Sequence, residues 1–441
     1  MLLIEHGYLI DPASGTEGRL DVLVEDGRIV KIAPSDEMEV FIQMRTGTHA
    51  GKNEAILKRL DAQGCIVAPG LVDVHVHFRD PGFIYKEDIT TGAKAAAAGG
   101  YTTVVMMANT KPAIDNQETL AEVLEKGRQT GIHVESCACV TVGLAGESLT
   151  EMETLKAAGA VGFTDDGIPI MDEALVREAM ERTAVLDVPV SFHEEDKTYI
   201  KNNGIHAGRA ADHYGIGGSP REAEISLVKR DLGLALETGA IINIQHISSK
   251  EAVELVRQFR KKSSRIHAEA TPHHIALTEE AAIQKGTLAK MNPPLRTEED
   301  RQAIIEGLKD GTIDLIATDH APHSAEEKAK PITEAPSGII GLETALALCN
   351  MHLVKSGALG MAQVIAKMTC NPARMYHLDA GYLAEDGPAD LIVFAPDEEW
   401  RVEKFYSKSA NSPFIGETLT GRVRATVCGG EVVFSVENKR K

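Results

Sequence analysis

The chain has 441 residues, 43% hydrophobic and 25% charged, which is typical of a folded globular protein with a sizeable core rather than a disordered one. Its 46 Lys and Arg residues stand against 65 Asp and Glu, so the net charge is -19. This acidic excess argues against nucleic acid or an anionic membrane surface as a partner and favours a small molecule.

The N-terminal segment MLLIEHGYLIDPASG reaches His6 and Asp11 before any long apolar run develops. We therefore expect no signal peptide, no membrane span and a cytoplasmic location. The six cysteines include no CxxC pair, so we expect free thiols and assign them no chemistry.

Both ends of the chain contain runs that alternate like strands of an antiparallel sheet with short turns. These runs are LLIEHGYLID, DVLVEDGRIVKIA, ADLIVFAPDEEW and GRVRATVCGGEVVF. They predict one small discontinuous β-sandwich domain made from residues 1–67 and 381–441. Residues 36–60 fit neither this pattern nor the next one, and we interpret them as an insertion or a local helix without an assigned role.

Between the two ends, short β-rich runs alternate with amphipathic helical stretches, as expected for repeated βαβ units. The β-rich runs are 71–78, 102–109, 133–142, 161–166, 188–193, 240–248, 265–274 and 315–320. Stretches such as EDITTGAKAAAAGG, ETLAEVLEKGRQTG and SKEAVELVRQFRKK space their apolar residues at about 3.6, the helical period. Eight such repeats predict an α/β fold, a closed (β/α)8 TIM barrel over residues 68–380.

A pair of histidines, His75 and His77, lies at the end of the first barrel run. Because side chains alternate along a strand, both imidazoles point to the same side, as one metal ion requires. Two histidines that only hydrogen-bond to backbone carbonyls would give the same spacing, so this pair alone decides little.

Four other barrel runs end in residues that can bind a metal. Asp165 and Asp166 end the fourth run, His193 the fifth, His246 the sixth and Asp319 the eighth. The C-terminal ends of barrel strands meet at one face, whereas helix caps and turn residues have no reason to gather there. Four histidines and two carboxylates suit a pair of divalent ions such as Zn²⁺, bridged by one carboxylate and a hydroxide that serves as the nucleophile.

Nine motifs in chain order resemble those of class I (bacterial type) dihydroorotases, members of the amidohydrolase superfamily. They are HVHFRDPG, MMANTKP, FTDDG, FHEED, QHIS, TPHH, MNPPLR, TDHAPH and APSGIIGLET. The match covers about residues 67–380, and HFRDPG together with TDHAPH is specific to few families. The resemblance implies reversible cyclisation of N-carbamoyl-L-aspartate to L-dihydroorotate plus water in pyrimidine (UMP) biosynthesis.

The same resemblance implies that two Zn²⁺ ions are held by two histidine pairs and a bridging aspartate. His75 and His77 would bind one ion, His193 and His246 the other, and Asp166 of FTDDG would bridge them. Asp165 is the alternative bridge, because a shift of one residue in the strand register would exchange the two carboxylates. Hydantoinases resemble this family but bridge their ions with a carboxylated lysine, and the FTDDG strand has no lysine.

Asp319 of TDHAPH would contact the first ion and act as general base and then general acid. A substrate carboxylate would be bound by Arg79, because a planar guanidinium can donate two parallel hydrogen bonds to it. The other substrate contacts that the resemblance implies come from His77, Asn109, Asn292, His323, Ser337 and Gly338. His273 and His274 are left out of the ligand set as supporting residues. The polar segment 324–337 resembles the mobile loop of the family.

Two other functions fit parts of the pattern. A hydantoinase or allantoinase would use the same hydroxide on a different ring, and a non-catalytic scaffold would keep the fold but lose metal ligands. Arg79 and the missing lysine disfavour the first, and the complete set of six ligands disfavours the second. A homodimer is the expected assembly, and association with aspartate transcarbamoylase is known among relatives.

Overall fold

Short strands open the chain in the structure, a computed structural model that describes residues 1–47 and 57–436. They are β1 (Leu2–Glu5), β2 (Tyr8–Asp11), β3 (Thr16–Arg19), β4 (Asp21–Glu25), β5 (Arg28–Ala33), β6 (Lys58–Asp61) and β7 (Ile66–Pro69). Helix α1 (Ser35–Gly47) follows β5 and confirms a local helix in the first part of segment 36–60. Residues 48–56 of that segment lie outside the described residues.

Eight parallel strands form the central sheet, and each pairs with its neighbours in chain order. They are β8 (Leu71–Val76), β9 (Tyr101–Met106), β10 (His133–Ala138), β11 (Gly162–Thr164), β12 (Val190–Phe192), β13 (Ile242–Ile244), β14 (Ile266–Ala270) and β15 (Leu315–Ile316). A parallel bridge between Val76 and His320 joins the last strand to the first and closes the ring. The predicted TIM barrel is confirmed.

Helices lie between the barrel strands and after the last of them. They are α2 (Ile89–Gly99), α3 (Gln117–Arg128), α4 (Met152–Ala157), α5 (Glu173–Leu186), α6 (Arg209–Tyr214), α7 (Arg221–Thr238), α8 (Lys250–Arg260), α9 (Pro272–Ala276), α10 (Glu279–Lys285), α11 (Glu298–Asp310), α12 (Ala325–Lys328), α13 (Ala345–Cys349), α14 (Met361–Met368) and α15 (Cys370–Met375). Helix α2 shows how local residues set where a helix begins and ends. Asp88 and Thr91 form a capping box at its start, and Gly100 ends it with a φ of 92°.

Three strands at the other end of the chain complete the larger of the two remaining sheets. They are β16 (Leu391–Arg401), β17 (Thr418–Cys428) and β18 (Glu431–Ser435). They pair antiparallel with one another and extend a six-stranded sheet in the order β18-β17-β16-β7-β2-β3, while β5-β4-β1-β6 forms a four-stranded sheet. Strands from both chain ends therefore share one sheet, as predicted.

Two sequence predictions about these elements were wrong in detail. The sheets at the chain ends are mixed, because β1 pairs with β6 and β2 with β7 in parallel. The predicted strand 265–274 ends at Ala270, because Thr271 caps α9 and Pro272 occupies its first turn. The domain bounds 1–67 with 381–441, and 68–380, stay a prediction, and residues 437–441 lie outside the described part of the chain. No helix within 1–47 or 57–436 is both long and apolar enough to cross a bilayer.

Two glycines on the barrel helices should respond to alanine in opposite directions. Gly233 lies inside α7, where an added Cβ meets no atom within 4 Å, so Gly233→Ala should stabilise the protein by about 0.5–1 kcal/mol. Gly100 has φ of 92°, and an added Cβ would lie 3.2 Å from Val423, so Gly100→Ala should destabilise by at least about 1 kcal/mol. Urea unfolding of the two variants measures the change in free energy of unfolding relative to wild type. Changes of equal size and the same sign would contradict the expectation.

Candidate metal centre and substrate site

The residues predicted to bind metal lie where barrel strands end. His75 is in β8 and His77 directly follows it, while Asp166 lies two residues after β11. His193 follows β12, and the remaining pair, His246 and Asp319, follows β13 and β15. All six are buried and reach the same end of the barrel.

The first group of side chains surrounds the Nε2 atoms of His75 and His77. His75 Nε2 lies 3.5 Å from Asp166 Oδ1, and His77 Nε2 lies 3.4 Å from Asp166 Oδ2. Asp319 Oδ1 lies 3.5 Å from His75 Nε2 and 3.1 Å from His77 Nε2. His75, His77 and Asp166 each offer an atom to one common point where a metal ion could be held.

The second group shares Asp166 with the first. Asp166 Oδ1 lies 3.7 Å from His193 Nδ1 and 3.7 Å from His246 Nε2. The two imidazole nitrogens are themselves 2.8 Å apart. Asp166, His193 and His246 therefore form a second set that could hold an ion, with Asp166 between the two sets.

Unpartnered polar atoms in this cluster indicate what the residues can hold. His75 Nε2 and Asp166 Oδ1 are buried, and neither has a hydrogen-bond partner among the described residues. Buried polar atoms are normally hydrogen-bonded, and orphaned nitrogen and oxygen atoms facing a common point are typical of metal ligands. Imidazole and carboxylate donors suit divalent ions such as zinc, so these residues fit a pair of such ions.

The two adjacent aspartates have different surroundings. Asp165 Oδ1 accepts hydrogen bonds from the backbone N–H groups of Val140 (2.8 Å) and Thr141 (3.1 Å), and burial raises the pKa of Asp165 to about 6. Burial would also raise the pKa of Asp166, but His75 and the other imidazoles hold it well below its usual range. Of the two alternatives, only Asp166 lies among the histidines.

Outer carboxylates turn two of the histidines toward the cluster. His75 Nδ1 donates to Glu269 Oε1 at 2.5 Å, and His193 Nε2 donates to Glu195 Oε2 at 3.1 Å. Each carboxylate fixes one ring nitrogen and leaves the other for the shared Asp166. Burial alone would lower the pKa of His75, but Glu269 and Asp166 raise it well above its ordinary value.

Sequence reasoning missed Glu269 and Glu195. Glu269 also accepts from Asn243 Nδ2 (2.9 Å) and from the backbone N–H of His246 (3.2 Å), so it joins three barrel strands. The sequence did contain one indication of the role of Glu269. A charged residue between Ala268 and Ala270 in a buried strand needs a partner of opposite charge or a hydrogen-bond donor. Its partner, however, is not identifiable from sequence spacing.

Backbone conformation at the strand ends is unusual. Arg79, His246 and Asp319 have φ values of 60°, 32° and 49°, in the left-handed region that few non-glycine residues adopt. Such conformations cost about 1–3 kcal/mol each and persist where the surroundings enforce them. At these three positions they direct side chains toward the barrel opening.

Arg79 is half-buried close to the cluster. Its Nε donates to the Pro322 carbonyl at 3.3 Å, and within the described residues no carboxylate oxygen lies within 4.0 Å of its guanidinium. Burial lowers the pKa of Arg79, while Asp319 and Asp166 raise it. The guanidinium thus has N–H groups available for a ligand.

The two predicted asparagines differ in their hydrogen bonding. Asn109 Oδ1 accepts from His77 Nδ1 at 2.9 Å, and its Nδ2 donates to Asp166 Oδ2 at 3.2 Å. Asn109 therefore orients two residues of the cluster. Asn292 Oδ1 is buried without a partner among the described residues and is free to accept from a ligand.

The other predicted contacts, His323, Ser337 and Gly338, form hydrogen bonds within the protein. His323 Nε2 donates to the Ser337 carbonyl at 2.8 Å, and the Gly338 N–H donates to the Lys290 carbonyl at 2.9 Å. Burial and the cations Arg79 and Lys86 lower the pKa of His323 to about 2, so its imidazole is neutral. The two backbone groups would have to exchange these bonds to reach a substrate.

Two buried lysines hold segment 324–337 in place. Lys328 Nζ donates to the carbonyls of Pro336 and Gly338, both at 3.0 Å. Lys290 Nζ donates to the carbonyls of Ile332 and Ala335, both at 2.7 Å. Burial lowers the pKa of Lys328 to about 7. Two lysine side chains therefore fasten the segment that resembles a mobile loop through backbone carbonyls.

His273 and His274, excluded from the ligand set, are buried beside the cluster. His274 bonds to Thr271 Oγ1 (2.7 Å) and to the Pro293 carbonyl (3.0 Å). Burial lowers the pKa of His273 to about 4. Neither belongs to the groups that could hold an ion in the described chain.

Comparison with known proteins covers almost the whole chain. A family model described as dihydro-orotase-like matches residues 64–252. The chain is 50% identical to a dihydroorotase of Clostridioides difficile over 99% of this chain and all of that one. It is 48% identical to a dihydroorotase of Streptococcus thermophilus over 99% of this chain and all of that one.

Solved structures with the same fold include cyclic amidohydrolases of another kind. An L-hydantoinase (dihydropyrimidinase) from Arthrobacter aurescens has a TM-score of 0.85 at 26% identity, covering 98% of this chain and 96% of that one. The sequence identity of this hydantoinase to the chain is about half that of the dihydroorotases, which also match the chain from end to end. Together with the clustered histidines and aspartates, these similarities show that the chain belongs to the dihydroorotase family.

Proposed function

We propose that this cluster catalyses the reversible cyclisation of N-carbamoyl-L-aspartate to L-dihydroorotate plus water, in pyrimidine (UMP) biosynthesis. The observation that carries the proposal is the position of Asp166 between two pairs of histidines, with the free guanidinium of Arg79 nearby. Membership of the dihydroorotase family supports the choice of substrate.

The proposed cofactor is a pair of Zn²⁺ ions. His75 and His77 would hold one, His193 and His246 the other, and Asp166 would contact both. When bound, zinc supplies an activated water at neutral pH and polarises the scissile carbonyl. Glu269 and Glu195 prepare the histidines for this role, because each fixes a ring nitrogen on the side away from the cluster.

Asp319 is the proposed proton carrier. Its carboxylate lies 3.1 Å from His77 Nε2, and although burial would raise its pKa, His75 and His77 hold that pKa far below the usual range. An ionised carboxylate can take a proton from the attacking water and pass it to the departing ring nitrogen in the hydrolytic direction. In the cyclisation direction the same group moves the proton the opposite way.

Arg79 is the proposed anchor for the substrate carboxylate. Its guanidinium is half-buried and lacks a carboxylate partner in the described chain. A carboxylate of the ligand would supply that partner. Asn292 Oδ1, which is buried and unpartnered, would accept from a ring N–H. His77, Asn109, His323, Ser337 and Gly338 complete the proposed contact set, the last two after segment 324–337 exchanges its internal bonds.

Substrate comparison tests the proposed reaction. The purified, zinc-loaded protein should hydrolyse L-dihydroorotate and leave hydantoin and allantoin largely untouched. Preference for hydantoin or allantoin would favour the related cyclic amidase, and a protein that neither retains divalent metal nor turns over any of the three would favour a scaffold. The homodimer and the association with aspartate transcarbamoylase stay predictions for sedimentation velocity, with and without the transcarbamoylase.

Asp319→Asn should remove the proton carrier while preserving side-chain volume. Since positioned general acid–base groups contribute about 10²–10⁴-fold, we expect kcat to fall by at least about 10²-fold. Thermal unfolding should stay near wild type, and because Asp319 would also contact the first ion, kcat is compared at equal bound zinc. Activity within a few-fold of wild type would refute the assigned role.

Arg79→Lys keeps the charge but loses the planar pair of donors. Hydrogen bonds to charged groups contribute about 1.5–3 kcal/mol, so kcat/KM for dihydroorotate should fall by about 10- to 100-fold. Arg209→Lys, on a side chain that is 73% exposed, is the matched control and should leave kcat/KM unchanged. Equal kinetics in the two variants would place Arg79 outside the substrate site.

Glu269→Gln tests the orientation of His75. The amide can still accept from Nδ1 but no longer supplies the negative charge that makes His75 a strong ligand. We expect zinc retention, measured against a chromophoric chelator, to weaken by about 10- to 100-fold. Glu254→Gln, on the exposed side of α8, is the control. Unaltered retention in Glu269→Gln would show that this carboxylate does not tune the ligand.

A further inference from the structure

A separate group of metal-binding side chains lies at the end of the barrel opposite the candidate metal centre. His133 is the first residue of β10, whereas the proposed zinc ligands are at the C-terminal ends of the strands. One donor atom from each of His133, Asp390 and Cys428 lies within 4.8 Å of the other two. His133 Nε2 is 2.9 Å from Asp390 Oδ2.

Strand pairing brings Asp390 and Cys428 together. Asp390 directly precedes β16, Cys428 ends β17, and the antiparallel register pairs their neighbours Leu391 and Val427. The N–H of Gly429 donates to Asp390 Oδ1 at 2.7 Å, which holds the carboxylate and directs Oδ2 toward His133. The group therefore joins a barrel strand to two strands of the six-stranded sheet.

Access to this group is one-sided. The His133 side chain is 49% exposed, whereas Asp390 is 4% exposed and Cys428 is buried. An ion can enter past the imidazole, and water can complete its coordination. Imidazole nitrogen, thiolate sulfur and carboxylate oxygen are the three donor types that zinc uses in proteins.

Without a metal, His133 and Asp390 form an ion pair, and the Cys428 thiol is packed beside it. The hydrogen bonds to Asp390 and Cys428 raise the pKa of His133 to about 10, so the imidazole is protonated at neutral pH. Burial raises the pKa of the Cys428 thiol. A metal therefore has to displace these protons, as it does at other thiolate and imidazole sites.

We propose that His133, Asp390 and Cys428 form a site for one zinc-like divalent ion that ties the barrel to the six-stranded sheet. The site is independent of the proposed catalytic centre, because no residue is shared. Binding to the folded chain alone stabilises that state, so the ion should raise the melting temperature.

Cobalt spectroscopy of protein loaded with only two Zn²⁺ per chain, enough for the proposed catalytic centre, tests this site, because a thiolate ligand gives a near-ultraviolet charge-transfer band with Co²⁺. None of the six proposed ligands in the catalytic centre is a cysteine. Added Co²⁺ at mildly alkaline pH should give the band in wild type and in Cys370→Ser, a control at another buried cysteine. Cys428→Ser should lose it.

His133→Gln is the second variant, and because this side chain is half-exposed the variant should fold as the wild type does. It should bind the additional Zn²⁺ at least about tenfold more weakly and lose the zinc-dependent rise in melting temperature. Absence of the band in wild type, its persistence in Cys428→Ser, or equal zinc affinity in His133→Gln would overturn the proposal. None of these measurements depends on the turnover of dihydroorotate, so they test the site independently of the proposed function.

Discussion

A single buried carboxylate organises the centre of this molecule. Asp166 lies among four imidazoles, and both its Oδ1 and His75 Nε2 are buried without a hydrogen-bond partner in the described chain. Burying such groups is costly unless they are paired or bind a cation. The same requirement explains the hydrogen bonds behind the histidines. Glu269 and Glu195 each accept from the ring nitrogen of a histidine that points away from Asp166.

The substrate side of the opening is built differently. The metal-facing residues are fixed by strands and by carboxylates behind them, whereas the segment beside Arg79 is held through backbone carbonyls by Lys290 and Lys328. These lysine–carbonyl bonds lack charge pairing, although Glu327 of the same segment is ion-paired with Lys86 at 2.9 Å. The two sides of the opening are therefore held in place by different kinds of contact.

Residue spacing was sufficient to predict the barrel and the clustering of these side chains, because strand alternation fixes where His75 and His77 point. It could not show which of Asp165 and Asp166 lies among the histidines, since one step of register exchanges them. In the structure Asp165 instead accepts from backbone N–H groups that follow β10. Glu269 was missed because its partners come from other strands. The parallel pairing of β1 with β6 was missed for the same reason, since local alternation does not specify strand direction.

The order of the barrel strands also has a consequence for biosynthesis. His77 and Asp319 are 242 residues apart, and they meet only after the last strand has closed onto the first through the bridge between Val76 and His320. On the ribosome, an incomplete chain therefore carries histidines without the aspartate that finishes their surroundings. Any chemistry that needs His77 and Asp319 together is therefore possible only after the eighth strand has been made and the ring has closed.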